Sequence, residues 1–407
     1  MPDGTRGTQF GTGRGTSLVT TAKSAATAGA AAAARHPIPR LTVGVEEEFL
    51  LLDPATGRVV PAAEDVRRRV DGRVATSLVP ELTQFQLETN STVHTDLGLL
   101  QRELFEMRGA VAVAAAATGV RLAACGTALH GNAGMPPLSV CPRYHAMLRE
   151  FGAVLRGQGV CGCHVHVGID DREEAVRVSN HVRPWLPILQ ALTSNSPISD
   201  SMDTGYASWR AMMMGRWPSA RPPPYFRSVR HYERLVDGMR ASGAILDRGM
   251  IYWLVRLSDH VPTLEFRAAD SCATVAETTM LAGLVRGLAA SALREVRAGV
   301  RAPWIDDTLL SAAWWRAARD GIEGEGLDLM SGRRVPAWDL ADRLIEHVRP
   351  SLEESGDWPL VFRVLCRLRR RGSGAARQRA VYASRARLAD VAALLVRQTP
   401  AAPAELP

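Results

Sequence analysis

Along the chain, stretches in which apolar and polar residues alternate at every second position are separated by longer ones in which apolar residues recur every third or fourth. The first signature predicts strands and the second helices, because side chains alternate across a strand but return to one helix face after three or four steps. Residues 41–52 read as a strand rich in Val and Leu, closed by the turn Asp53-Pro54-Ala55-Thr56-Gly57. Further extended segments are predicted at Gln84–Leu87, Leu122–Gly126 and Cys161–Ile169, and one or two within Tyr252–Arg267. Helical spacing covers Asp96–Thr118, Arg143–Leu155, Arg172–Leu192, Thr274–Val300 and much of 335–398. Pro184 and Pro187 must kink or break the third of these. Residues 193–228, which include Pro222-Pro223-Pro224, predict a long ordered loop, a feature more often functional than idle. Strands and helices mix without regular β-α-β alternation. The expected class is therefore α+β, a mainly antiparallel sheet with helices packed on one side.

Composition sets limits on this picture. With 46% hydrophobic and 22% charged residues in 407, the chain is that of a globular protein. No stretch approaches the roughly 18 uninterrupted apolar residues of a membrane helix, so a soluble protein with no membrane partner is expected. Residues 1–39 are rich in Gly, Thr, Ser and Ala. They lack the compact apolar stretch of a secretory leader and are expected to be a disordered, low-complexity leader. One domain is expected over 40–398 and a flexible tail over 399–407. The six cysteines are expected to be reduced thiols in a cytoplasm, since a chain this long needs no disulfide framework. Cys161-Gly162-Cys163-His164 looks like half a zinc site, but no second cysteine pair completes it.

The net charge of +7 raises nucleic acid as a partner. The arginines, however, are spread along the chain and interleaved with acids rather than gathered in a stripe, so no nucleic-acid partner is expected. Lys23 is the only lysine, and it lies in the leader. A P-loop and Schiff-base chemistry are thereby excluded from the folded part. Any phosphate handled here must be met by arginine and metal.

The strand segments carry the chemistry. Glu46 and Glu48 point one way and Glu47 the other; Gln84, Gln86 and Glu88 share a face; so do His164 and His166; so do Thr263, Glu265 and Arg267. In the last three segments Phe85, Leu87, Val165, Val167, Leu264 and Phe266 form the opposite, apolar face. Any one of these segments alone is more often an ordinary amphipathic strand, and Glu46-Glu47-Glu48 alone could be a charged sheet edge that discourages aggregation. Together they put carboxylates, imidazoles and a guanidinium on one surface, where the acids repel one another unless cations sit between them. An oxygen-rich set with few histidines selects magnesium, or manganese in its place, over zinc.

Six segments in series carry a resemblance: Gly44-Val-Glu-Glu-Glu-Phe, Pro80-Glu-Leu-Thr-Gln-Phe-Gln-Leu-Glu-Thr, Cys161-Gly-Cys-His-Val-His-Val-Gly, Arg216-Trp-Pro, Pro262-Thr-Leu-Glu-Phe-Arg-Ala-Ala-Asp and Gly374-Ala-Ala-Arg-Gln-Arg. From about residue 41 to 398 the chain resembles the type 2 glutamate–cysteine ligases, a carboxylate–amine ligase family. The resemblance implies a catalytic sheet related to that of glutamine synthetase, a curved antiparallel funnel with helices outside. It also implies amino-acid substrates and ATP, an acyl phosphate formed from the acid, attack on it by an amine, and release of ADP and phosphate. Glu46, Glu48, Glu81, Glu88, His164 and Glu265 match the metal positions, with Glu265 and Arg267 as the catalytic pair and Arg267 steadying the transferring phosphoryl group. Arg210 and Arg216, from the long loop, and His166 are the candidates for substrate contact. Arg377 and Arg379 are candidates for nucleotide phosphates, with a solvated helix end as the competing reading.

The chain departs from the family pattern at Ser219-Ala-Arg221-Pro-Pro and Gly126-Thr-Ala-Leu-His130, which leaves the choice of acid and amine open. A metal-dependent hydrolase, an anion- or nucleic-acid-binding protein, and a family member with another amine or lost activity are the rival readings. The oligomeric state also stays open, a homo-oligomer among the alternatives.

Overall fold

Strand β1 (Val43–Leu52) is the spine of the fold. In the computed structural model, which describes residues 40–131 and 134–400, it joins β2 (Leu78–Pro80), β3 (Gln86–Asn90), β4 (Arg121–Ala123), β5 (Gly162–Gly168), β8 (Val255–Leu257) and β9 (Thr263–Asp270) in one seven-stranded sheet. The order is β2-β3-β1-β5-β9-β8, with β4 pairing to the far end of β1. Every pairing in it is antiparallel. A short hairpin, β6 (Ile198–Ser199) and β7 (Met202–Asp203), turns through Asp200 and Ser201 at φ 50° and 65°. A second hairpin pairs β10 (Glu325–Asp328) with β11 (Arg333–Pro336).

Because β1 lies inside the sheet, its three glutamates are not an edge device. On the sheet face that carries Val43 and Val45 of β1, these two and Val165, Val167, Leu264 and Phe266 are buried against helices, chief among them Val275–Arg297. That helix starts where the Thr274 hydroxyl accepts from the Glu277 N–H at 3.2 Å, the cap its sequence calls for. It is apolar on nearly every side and is sheathed by helices Leu97–Ala117, Arg172–Val182, Ala337–Glu354 and Trp358–Arg371. Gly283 lets one of them approach closely, since a Cβ there would sit 2.5 Å from Val361 Cγ2. Burying each such aliphatic side chain stabilises the fold by about 1.5–3 kcal/mol. The far half of β1 is covered on both faces: Leu50 and Leu52 pack under helix Leu388–Gln398, and Phe49 and Leu51 against Val111 and Ala115.

The α+β class, the antiparallel sheet and the helical backing agree with the periodicity. Four details differ. The extended segment predicted at Gln84 begins at Gln86, because Gln84 turns aside and bonds the Pro137 and Leu138 carbonyls through its N–H and side-chain amide, at 2.8 and 2.9 Å. Residues 193–228 are not all loop: they hold the β6–β7 hairpin and helix Trp209–Met214, started by the Ser208 hydroxyl. Helices Val229–Ala241 and Asp307–Asp320 went unassigned, their amphipathic stripes being short and rich in arginine. Thr399, expected in the flexible tail, is buried and fixed, its hydroxyl accepting from Ala124 N–H at 2.8 Å. The leader at 1–39 and residues 401–407 of the tail lie outside the described residues. Among the described residues no helix is long and apolar enough to cross a membrane.

Candidate active site

The even-numbered face of β1 opens onto a cavity of about 730 Å³, whose walls include Glu46, Glu48, Glu81, Glu88, His164, Arg210 and Arg267. Register brings them together. Glu48 lies opposite Glu88, Glu46 opposite His164, and His166 opposite Glu265, so four strands present their polar positions to one surface. Glu81 joins from the segment after β2. The alternation of β5 holds, while a bulge on β9, with three steps from Phe266 to Ala269 opposite two from Val165 to Cys163, shifts the register between the two strands.

Two acidic groups result. One ligand atom from each of Glu48, Glu81 and Glu88 lies within 4.8 Å of the others, and the same holds for Glu46, His166 and Glu265. In the first group burial pushes Glu48 up to about 8, with repulsion from Glu81 adding to it and Arg210 opposing. Burial raises Glu81 too, and holds Glu88 well above the carboxylate range with Glu46, Glu81 and Glu48 all repelling its charge. Three carboxylates that cannot comfortably ionise together form a donor set that fits a hard divalent cation. Among the described residues the buried Nε2 of His164 has no hydrogen-bond partner; it stands 3.7 Å from Glu48 Oε1, too far for a bond to it. It is a further donor facing the same space.

The second group is compensated by cations already present. Burial favours the neutral form of Glu46, but hydrogen bonds with His164 Nδ1 at 2.9 Å and His166 Nε2 at 3.1 Å outweigh it and keep the carboxylate ionised. Burial likewise opposes charge on Glu265, and Arg267 and Arg256 reverse the balance. Arg267 bonds Glu265 Oε1 directly, approaches His164 Nδ1 at 3.3 Å and lies over the Tyr252 ring. His164 is lowered to about 4, by burial first and the Arg267 charge second, so it stands neutral and able to ligate.

Arg210 enters from helix Trp209–Met214. Its guanidinium lies against Gly162, where a Cβ would fall 2.3 Å from its Nη2. The Gly162 N–H donates to Glu48 Oε2 at 2.6 Å. One glycine thus seats a cation on one side and pins a carboxylate on the other. Arg210 is 5% exposed and its Nε has no partner among the described residues, which leaves it a donor for an anionic group in the cavity.

Three sequence assignments are corrected by placement. Arg216 does not line the cavity; it donates to the carbonyls of Arg156 and Ala153, at 2.7 and 2.9 Å, and ties down the turn before β5. Arg377 is paired with Glu277 at 2.7 Å, and Arg379 grips Asp203 with two bonds of 2.8 Å; neither lines the cavity. Their positive charge is already matched by acids that the sequence places far away. Cys163 faces the core, opposite in direction to His164, which removes the zinc half-site.

Other wall residues escaped the sequence reading: Arg143 with its partner Asp247, bonded at 2.7 and 3.1 Å, together with Tyr144, Trp217, Tyr252 and Arg256. Arg256 alone had a signal, as the polar centre of the alternating Val255-Arg256-Leu257. The rest sit on helices and loops, where no period marks an inward face.

The sequence profile of the glutamate–cysteine ligase family 2 matches residues 42–393. A protein of Saccharopolyspora erythraea, provisionally named glutamate–cysteine ligase 2-1, is 48% identical over 369 residues, covering 90% of this chain and 97% of its own. A protein of Salinispora arenicola, provisionally named glutamate–cysteine ligase 2, is 50% identical over 341 residues, covering 84% and 90%. Among solved structures, the glutamate–cysteine ligase of Francisella tularensis in complex with AMP superposes with a TM-score of 0.65 at 12% identity, over 90% of each chain. A bifunctional glutathione synthetase from Pasteurella multocida superposes with a TM-score of 0.63 at 15% identity, over 93% of this chain and 54% of its own. At such identities the structural likeness concerns the fold.

Proposed function

This chain belongs to the glutamate–cysteine ligase family 2 and is a carbon–nitrogen bond-forming ligase, and on that premise we propose that it uses ATP and magnesium to join the carboxylate of glutamate to the amine of cysteine, forming gamma-glutamylcysteine. A carboxylate oxygen of the acid attacks the terminal phosphorus of ATP, ADP leaves, and an acyl phosphate forms. The amine nitrogen then attacks the acyl carbon, the bond to the phosphate oxygen breaks, and phosphate departs as the amine loses a proton. The observation that carries this reading is the convergence of Glu48, Glu81 and Glu88 with Glu46, His164 and Arg267 on the walls of one cavity.

Glu48, Glu81 and Glu88, with His164, would hold magnesium; Glu46, Glu265 and His166 would join an ion only by giving up present hydrogen-bond partners, which for Glu265 are Arg256 and Arg267. Magnesium held there would supply positive charge to offset that of the triphosphate. Arg267 offers its remaining donors to the phosphoryl oxygens, where fixed positive charge favours transfer. Arg210, with its unpartnered Nε, suits an amino-acid carboxylate. Manganese could replace magnesium in an all-oxygen and imidazole set. The cytoplasm, where ATP is available, is the compartment this reading requires.

A metal-dependent hydrolase is the weaker reading. Carboxylates outnumber imidazoles in the donor set: both ring nitrogens of His166 are engaged, by Thr263 and Glu46, and His164 keeps only Nε2 open, beside Glu48. A nucleic-acid groove is weaker still: Arg67 and Arg68, and Arg369 from the other arginine run, pair with Glu64, Asp65 and Asp342. The test is a screen of ADP release across pairs of amino acids with magnesium. Release that depends on both glutamate and cysteine supports the proposal. Release with a different amine would move the substrate assignment, and amide hydrolysis without ATP would favour the hydrolase.

A further inference from the structure

Arg256 stands directly across from Glu265 in the β8–β9 pairing and grips it with two bonds, Nε to Oε2 at 2.7 Å and Nη2 to Oε1 at 3.2 Å. Its third nitrogen, Nη1, donates to three carbonyls of the preceding turn: Arg248 at 3.3 Å, Gly249 at 3.2 Å and Ile251 at 3.1 Å. That turn supplies Arg248, Gly249 and, just beyond, Tyr252 to the cavity wall. Glu265 Oε1 receives Arg267 as well. A continuous chain of contacts therefore runs from the wall turn through Arg256 and Glu265 to Arg267.

We propose that Arg256 is a positioning residue for phosphoryl transfer, holding Glu265 in the rotamer that aims Arg267 into the cavity and keying that aim to the turn 248–251. The inference rests on the ligase reading above. Planar guanidinium geometry is what the arrangement demands. Only a rigid fork satisfies two carboxylate oxygens and a turn of carbonyls at once, and an ammonium would meet one side or the other. With Arg256 removed, Glu265 keeps its bond to Arg267 but loses its fixed orientation. Arg267 then samples positions away from the phosphoryl group. Misplacement on the order of 1 Å can cost about 100-fold in rate.

The test compares Arg256→Lys and Arg256→Gln with the unaltered protein in three measurements: kcat and KM for ADP release, affinity for a non-hydrolysable ATP analogue with magnesium by calorimetry, and Tm. The expected result is a kcat lower by about 100-fold in both variants, with the analogue bound more weakly and KM for the amine nearly unchanged. Lysine, despite its charge, should fail to rescue. Free guanidinium added to Arg256→Ala should restore part of the lost turnover, which a purely structural role would not allow. Wild-type kcat and analogue affinity in Arg256→Gln would overturn the inference while leaving the ligase reading intact; so would full rescue by lysine. An unaltered protein that releases no ADP with any amino-acid pair would overturn the ligase reading and the inference with it.

Discussion

Glu47 and Arg108 form a fully buried, two-pronged ion pair behind the sheet, with Nη2 2.6 Å from Oε1 and Nε 3.0 Å from Oε2. The Thr278 hydroxyl donates a third bond to Glu47 Oε1, also at 2.6 Å. The middle glutamate of Glu46-Glu47-Glu48 thus anchors β1 to helices Leu97–Ala117 and Val275–Arg297, while its neighbours face the cavity. Removing one partner leaves an uncompensated buried charge. Glu47→Gln is expected to cost about 3–5 kcal/mol in urea unfolding. The double change Glu47→Leu with Arg108→Leu should cost less than either single change. Losses in the double change equal to the sum of the two single changes would show that the pair is not coupled.

The raised carboxyls at Glu48 and Glu88 predict opposite responses with and without metal. In metal-free protein, Glu88→Gln relieves repulsion and should leave Tm unchanged or higher. Added magnesium should raise the Tm of the unaltered protein, since a ligand bound only by the folded state stabilises it. It should not raise that of the variant. A magnesium shift that survives in Glu88→Gln would remove that residue from the ion site.

Gly162→Ala would drive a methyl group into the Arg210 guanidinium. A side-chain end can swing aside, so the fold should survive with a modest drop in Tm. The displaced arginine would lose its place as an anion donor. KM for the amino acid it binds should rise roughly tenfold or more, the worth of one charge-assisted hydrogen bond. An unchanged KM would mean that Arg210 does not contact substrate.

Glu265→Gln should abolish ADP release, measured well below the melting temperature. Its burial between Arg256 and Arg267 adds a second expectation. Two arginines lose their shared counterion, so Tm should fall as well. Normal turnover would end the proposed role, and an unchanged Tm would show that the arginines find other partners.

Sequence alone determined which residues share a face. A period of two fixes Glu46 with Glu48, His164 with His166, and Glu265 with Arg267, whatever the strand order, because alternation is a property of the local backbone. Helical spacing fixed the long helices for the same reason, and mixed elements without β-α-β alternation fixed the class. Only the tertiary structure decided which strands are neighbours, and hence that Glu48 meets Glu88 and that Arg256 faces Glu265. It also decided where charges are neutralised: Glu47 by Arg108, 61 residues away, and Arg379 by Asp203, 176 residues away. Periodicity acts over a few residues and leaves a pattern in the chain. The choice of partner follows from register and packing between distant segments, and an arginine bound for a salt bridge looks in sequence like one bound for a substrate.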